Sequence, residues 1–149
     1  MQSTPPKTSA KPGPILFRLM LFTLAGLLVT GGAWLVLNTF FRSETEFGLI
    51  NHPLQALLLQ LHGFLVIIVS VSLGGVVFAH VPGGWGSKRK RISGVVLLGL
   101  FALLALTGYV LYYTGNLDLR AAASIAHWTI GLAVPFALLW HMAVRLRAR

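Results

Sequence analysis

Four long apolar runs dominate the 149-residue sequence and set what the chain can fold into. They cover residues 19–41, 53–81, 92–113 and 121–144. As α-helices rising about 1.5 Å per residue, each is long enough to cross about 30 Å of hydrocarbon. Only 10% of the residues are charged, whereas soluble domains carry about 25%. The sequence therefore predicts an integral membrane protein.

Short connections join the four runs, at residues 42–52, 82–91 and 114–120. Such lengths are typical of antiparallel neighbours, so we expect an all-α, up-down-up-down four-helix bundle. It forms one transmembrane domain over residues 15–149, with helices near 15–41, 53–81, 92–113 and 120–145. Residues 1–14 are rich in proline and small polar residues and are predicted to be a disordered cytoplasmic tail. The first run exceeds a signal-peptide core and lacks a clear cleavage site, so it is expected to stay as a helix.

Residues at the ends of the runs refine these boundaries. Pro53 suits the first turn of the second helix, where a missing N–H costs nothing. Pro82, Gly83 and Gly84 are expected to stop that helix. Asp118 is a candidate N-cap for the fourth helix.

The basic residues are distributed unevenly between the two sides of the predicted bundle. Ten of the twelve fall before the first helix, between the second and third, or after the fourth, and only Arg42 and Arg120 fall on the other side. The positive-inside rule makes the ten-residue side cytoplasmic. We therefore predict a multi-pass protein of the bacterial inner membrane with both termini in the cytoplasm. This placement also argues against nucleic acid as the partner of the +9 charge.

Four of the five histidines lie in the second and fourth apolar runs, where ionisable residues are rare and are functional candidates. His62 and His80 are eighteen residues apart, and His127 and His141 are fourteen apart. Both intervals place the two members of a pair on roughly one face of a helix. Since both helices run in the same direction, His62 matches His127 in depth and His80 matches His141.

Paired imidazoles from two helices are what bis-histidine haem ligation requires, one on each side of the iron. The chain has no cysteine, which excludes covalent haem attachment and thiolate ligation. The intervals span about 27 Å and about 21 Å, so the inner pair, His80 with His141, fits less closely than His62 with His127. The sequence thus predicts two b haems, or one at the outer pair. Outside these pairs, His52 precedes Pro53 in an outer loop, where it either caps the helix or shapes a quinone or partner site.

Glycines and arginines near these histidines are further candidates for cofactor binding. Gly63 follows His62 and Gly131 lies one turn after His127, where small residues leave space for a macrocycle. Arg120 and Arg145 lie within two turns of His127 and His141 and could pair with haem propionates. Each is equally explained by helix packing, snorkelling or topology.

The sequence resembles the bacterial four-helix di-haem cytochrome b superfamily, which includes cytochrome b561-like proteins and the cytochrome b subunits of membrane-bound hydrogenases. The likeness rests on the stretches at residues 52–63, 93–113 and 126–141, which resemble a group of proteobacterial proteins in that superfamily. It implies non-covalent haem b, a quinone or a periplasmic or membrane redox protein as partner, and transmembrane electron transfer. The sequence departs from the pattern in having no histidine in the first helix and eighteen residues between those of the second.

Two other functions remain open. A haem-free structural or assembly subunit of a larger membrane complex would use the histidines as hydrogen-bonding groups between helices. Homo- or hetero-oligomerisation also stays open. A proton or metal transporter would line a path with them, but the near absence of acidic residues within the spans argues against it. No nucleophile–base pair or phosphate loop suggests catalysis by the chain itself.

Overall fold

The computed structural model describes residues 13–46, 48–85 and 91–146. Over these residues the chain forms helices α1 (Pro14–Phe40), α2 (Leu54–Trp85), α3 (Arg91–Tyr113) and α4 (Leu117–Leu146). Each is long and apolar enough to cross a membrane. The four predicted helices and the all-α class are therefore confirmed. Residues 1–12 of the predicted tail lie outside the described part.

The chain divides into two compact units, Met1–Gly83 and Gly84–Arg149. The first contains α1 and nearly all of α2, and the second contains α3 and α4. In the first unit, small residues let side chains of the facing helix approach closely. A Cβ atom built on Gly26 would lie 2.9 Å from Leu65 Cδ1, and one built on Gly75 would lie 3.1 Å from Leu16 Cδ2. From Gly26 back to Leu16 on α1 the contacts advance from Leu65 to Gly75 on α2, so the two helices run antiparallel.

A two-stranded β-hairpin occupies the connection that the sequence predicts as a simple loop. Strand β1 (Ser43–Thr45) pairs antiparallel with β2 (Gly48–Ile50), with Thr45 opposite Gly48. Gly48 has a φ of 106°, a backbone conformation that side chains with a Cβ atom disfavour. The Thr45 hydroxyl donates to the Gly48 carbonyl across 2.8 Å. Strands of three residues show too little alternation for sequence patterns to reveal them.

The predicted end of α2 is wrong, because the helix continues through Pro82 to Trp85. Proline removes one backbone hydrogen bond, but its fixed φ of about −65° is also that of an α-helix. The helical conformation therefore persists for another turn.

The start of α2 agrees with the predicted position of Pro53. His52 caps the helix, since its Nδ1 accepts the Leu54 N–H at 3.2 Å and its carbonyl accepts the Gln55 N–H at 2.9 Å. Pro53 then occupies the first position after the cap, where no N–H is needed.

The predicted cap of α4 is displaced by two residues. The Asn116 Oδ1 accepts the Leu119 N–H at 2.9 Å, so Asn116 is the N-cap. Asp118 lies inside the first turn, where its negative charge complements the helix dipole.

In the second unit, α3 and α4 pack against each other along their lengths. Gly131 of α4 meets Leu104 of α3, since a Cβ atom built on the glycine would lie 3.9 Å from Leu104 Cδ2. Ala123 and Val134 of α4 and Leu97 of α3 are buried. These contacts place the core of this unit along one face of each helix.

Among the described residues, the division between buried and exposed side chains differs from that of a water-soluble protein. Several buried side chains are polar, among them Thr23, Thr30, Ser72 and Ser93. By contrast, Phe78 is 86% exposed. Small hydroxylated residues pack between membrane helices while large apolar residues face lipid. The surface is therefore suited to hydrocarbon, as the composition predicts.

Candidate ligand-binding histidines

The four predicted ligand histidines lie on the two even-numbered helices. His62 and His80 are on α2, His127 and His141 are on α4, and all four are partly buried. Three of them are held in the same way by the preceding helix of their own unit.

His62 lies against α1 at a threonine followed by a glycine. Its Nδ1 is 3.0 Å from the Thr30 hydroxyl oxygen. A Cβ atom built on Gly31 would lie 3.1 Å from His62 Cε1 and 3.4 Å from its Nδ1. The imidazole therefore sits where any residue larger than glycine would crowd it.

His127 meets α3 through the same two residue types. Its Nδ1 is 2.9 Å from the Thr107 hydroxyl oxygen. A Cβ atom on Gly108 would lie 3.5 Å from His127 Cε1, which is ordinary van der Waals distance. The contacts of His127 therefore repeat those of His62, with slightly more space between the imidazole and the glycine.

His141 is held near the other end of α3 by a serine and a glycine. Its Nδ1 is 2.8 Å from the Ser93 hydroxyl oxygen, and a Cβ atom on Gly94 would lie 3.8 Å from its Cε1. Ser93 and Thr107 are fourteen residues apart, as are His127 and His141. The α3–α4 hairpin thus carries two equivalent arrangements about 21 Å apart along the helix axis.

The remaining two histidines are placed differently. His80 lies in the last third of α2, in helical backbone that is continuous from His62. His52 is the N-cap of that helix, which satisfies the capping alternative considered for it.

The other residues predicted to bind the cofactor have different surroundings. Gly63 is exposed, and a Cβ atom there would meet no described atom within 4 Å. Gly131 packs against Leu104. Arg120 is exposed in the first turn of α4, and the side chain of Arg145 lies outside the described residues.

Sequence reasoning missed the residues that contact the imidazoles, although a signal was present. The helices contain three dipeptides of a hydroxylated residue followed by glycine, Thr30-Gly31, Ser93-Gly94 and Thr107-Gly108. All three contact a histidine. A search for the same dipeptide on helices that lack histidine would have found them.

The donor chemistry of these histidines fits a haem iron. Metal-bound imidazoles usually engage their second ring nitrogen in a hydrogen bond, which fixes the orientation of the ring. Here that nitrogen would be Nδ1 at three positions, held by Thr30, Thr107 and Ser93. Metal would then be bound through Nε2.

Comparison with protein-family models, curated proteins and solved structures found no match for the chain.

Proposed function

We propose that the protein is a b-type cytochrome of the bacterial inner membrane that carries electrons through its helices. The observation that carries this proposal is the shared environment of His62, His127 and His141. Each imidazole in a lipid-embedded helix has its Nδ1 against a hydroxyl of the neighbouring helix. Such outer partners orient the imidazole ligands of metals.

In this proposal α2 and α4 each offer two histidines that would hold haem b. His62 and His127 would hold an outer haem, and His80 and His141 would hold an inner one where two haems are present. When bound, bis-histidine haem supplies one-electron chemistry without an open coordination position. The helices would orient the ligands and exclude water, and Arg120 and Arg145 are the candidates to pair with the haem propionates.

The proposal extends to the arrangement of the whole chain. The four helices form an up-down-up-down bundle with both termini in the cytoplasm. Electrons would enter or leave through a quinone or a membrane or periplasmic redox protein. The likeness to cytochrome b561-like proteins and hydrogenase cytochrome b subunits points the same way.

The same hydrogen bonds also favour a second function. Thr–His and Ser–His contacts between membrane helices stabilise packing by about 0.6 kcal/mol each without any cofactor. In a haem-free structural subunit of a larger complex, they would serve only this purpose.

The decisive experiment is a dithionite-reduced minus oxidised absorbance spectrum of the purified protein, with a pyridine haemochrome count per chain. We expect a Soret band and b-type α band that diminish in His62→Ala and His127→Ala. His52→Ala is the matched control, because that imidazole caps α2 and should leave the haem count unchanged.

The possible results separate the alternatives. Two haems, one of them lost with His80→Ala or His141→Ala, support the two-haem arrangement. One haem that is unaffected by these two changes restricts ligation to the outer pair. A protein without haem after expression with ample haem supply refutes the cytochrome and supports the structural subunit.

A further inference from the structure

Three hydroxyl–glycine seats, each a Ser/Thr-Gly dipeptide against an imidazole, recur in the two units. We define them as Thr30-Gly31 for His62, Thr107-Gly108 for His127 and Ser93-Gly94 for His141. In each seat the hydroxyl meets Nδ1 while the glycine clears space for Cε1. The repetition in two separate units indicates a requirement shared by the three histidines.

The protons of the two threonine seats can be counted. The Thr30 hydroxyl donates to the Gly26 carbonyl at 2.8 Å, and the Thr107 hydroxyl donates to the Leu103 carbonyl at 2.7 Å. A hydroxyl has one proton and two acceptor lone pairs. Because the proton is already directed to the threonine's own helix, the oxygen must accept the hydrogen bond from the imidazole.

The donor in that bond is then Nδ1–H, which defines the tautomer of the ring. In the His127 seat the backbone carbonyl of Leu104 accepts a further hydrogen bond from the imidazole. A neutral imidazole carries one proton, so protonated Nδ1 leaves the lone pair on Nε2. The glycine contributes by allowing the ring to approach the helix closely enough for this bond.

We propose that Thr30 and Thr107 are positioning residues that select the Nδ1–H tautomer of His62 and His127 and so prepare Nε2 for iron. Ser93 holds His141 in the same geometry. The preparation of Nε2 for iron rests on the proposed function, whereas the selection of the tautomer does not.

The chemistry of the hydroxyl also predicts how the ligand is tuned. A hydrogen bond from Nδ1–H raises the basicity of a ligating imidazole. Removing the acceptor should make the ligand a weaker electron donor, which favours the reduced iron and raises the midpoint potential. Loss of such outer partners typically weakens metal binding about 10–100-fold.

The test uses the full chain labelled with ¹⁵N-histidine in detergent, first without haem. The ring nitrogen shifts of His127, assigned by comparison with His127→Ala, should report a protonated Nδ1 in the wild type. Thr107→Val keeps the shape of the side chain but removes the oxygen. Because the Leu104 carbonyl remains as a hydrogen-bond acceptor for the imidazole, we expect a partial shift toward the other tautomer. Thr107→Ser should restore the single tautomer. Thr39→Val is the control, since that exposed hydroxyl donates to the Leu35 carbonyl of its own helix and, within the described part of the chain, contacts no histidine.

The same variants are then loaded with haem, and their affinity and midpoint potential are measured. Thr107→Val should raise the potential and bind haem about 10–100-fold more weakly, while Thr107→Ser stays close to the wild type. A protonated Nε2 in the wild type overturns the inference. So does a Thr107→Val protein with an unchanged tautomer and potential.

The two proposals fail in distinguishable ways. A wild type that takes up no haem, combined with a partial shift of tautomer in Thr107→Val, refutes the cytochrome and supports tautomer selection. A wild type that binds haem, with tautomer and potential insensitive to Thr107→Val, leaves the cytochrome standing and refutes the role of the threonine.

Discussion

At the scale of single residues, neighbouring glycines of α1 have different roles. Gly31 faces His62, whereas a Cβ atom on Gly32 would meet no described atom within 4 Å. Alanine at either position changes helix propensity equally, so the difference between the two variants isolates the contact with the imidazole. We expect Gly31→Ala to be less stable than Gly32→Ala by about 1 kcal/mol, at the low end of overpacking costs. Denaturant titration in detergent measures this difference, and equal midpoints would contradict the close contact.

The start of α4 offers a second prediction at this scale. Asn116→Ala removes the oxygen that accepts the Leu119 N–H. Loss of an N-cap costs about 1 kcal/mol, so the unfolding midpoint should fall by a corresponding amount. Asn51→Ala removes the same amide from the loop before α2 and is the control. If Asp118→Asn lowers the unfolding midpoint more than Asn116→Ala does, Asp118 and not Asn116 is the N-cap.

At the scale of helices and strands, the long apolar runs predicted where the four helices lie. The end of α2 and the β-hairpin were not predicted. The four apolar runs identified α1 to α4 because lipid demands a continuous apolar surface. Pro82 misled the prediction, since a proline near the end of a helix removes one hydrogen bond while its fixed φ stays compatible with the helix. The β-hairpin was not predicted because its turn depends on the backbone conformation of Gly48 and not on a hydrophobic pattern.

Close packing of α1 on α2 leads to a third prediction. Gly26 faces Leu65, whereas Gly99 of α3 is exposed and meets no described atom. Leucine at residue 26 would force the two helices apart, and we expect Gly26→Leu to be destabilised by about 1–3 kcal/mol. Gly99→Leu should be nearly neutral, because its side chain would face lipid. Thermal unfolding in detergent tests this, and similar losses in both variants would argue against the α1–α2 contact.

At the scale of the whole molecule, the histidines of the candidate site could be found from the sequence, whereas the residues that contact them could not. Spacing along α2 and α4 identified His62, His127 and His141 because position along one helix is set by 3.6 residues per turn. Their partners Thr30 and Thr107 lie on other helices, and pairing them requires the register between helices. That register depends on side-chain packing, which no single helix reveals.

The orientation of the whole chain in the membrane can be tested without altering its background, because the sequence contains no cysteine. Ser43→Cys places a thiol in the exposed β1 strand, and Ser87→Cys places one in the predicted cytoplasmic connection beside four basic residues. The positive-inside rule favours a cytoplasmic position for these four basic residues and disfavours a position on the outer side.

We therefore expect a membrane-impermeant maleimide to label Ser43→Cys in cells whose outer membrane alone is permeabilised. Ser87→Cys should be labelled only after the inner membrane is opened. The two substitutions are chemically identical, so each variant controls for the reactivity of the other. If Ser87→Cys alone is labelled in cells with a sealed inner membrane, the orientation is opposite to the predicted one. If both variants are labelled there, the chain between the two residues does not cross the membrane. The expected result would place His62 and His127 toward the outer surface, because each lies near the end of its helix that follows the β-hairpin or the α3–α4 turn.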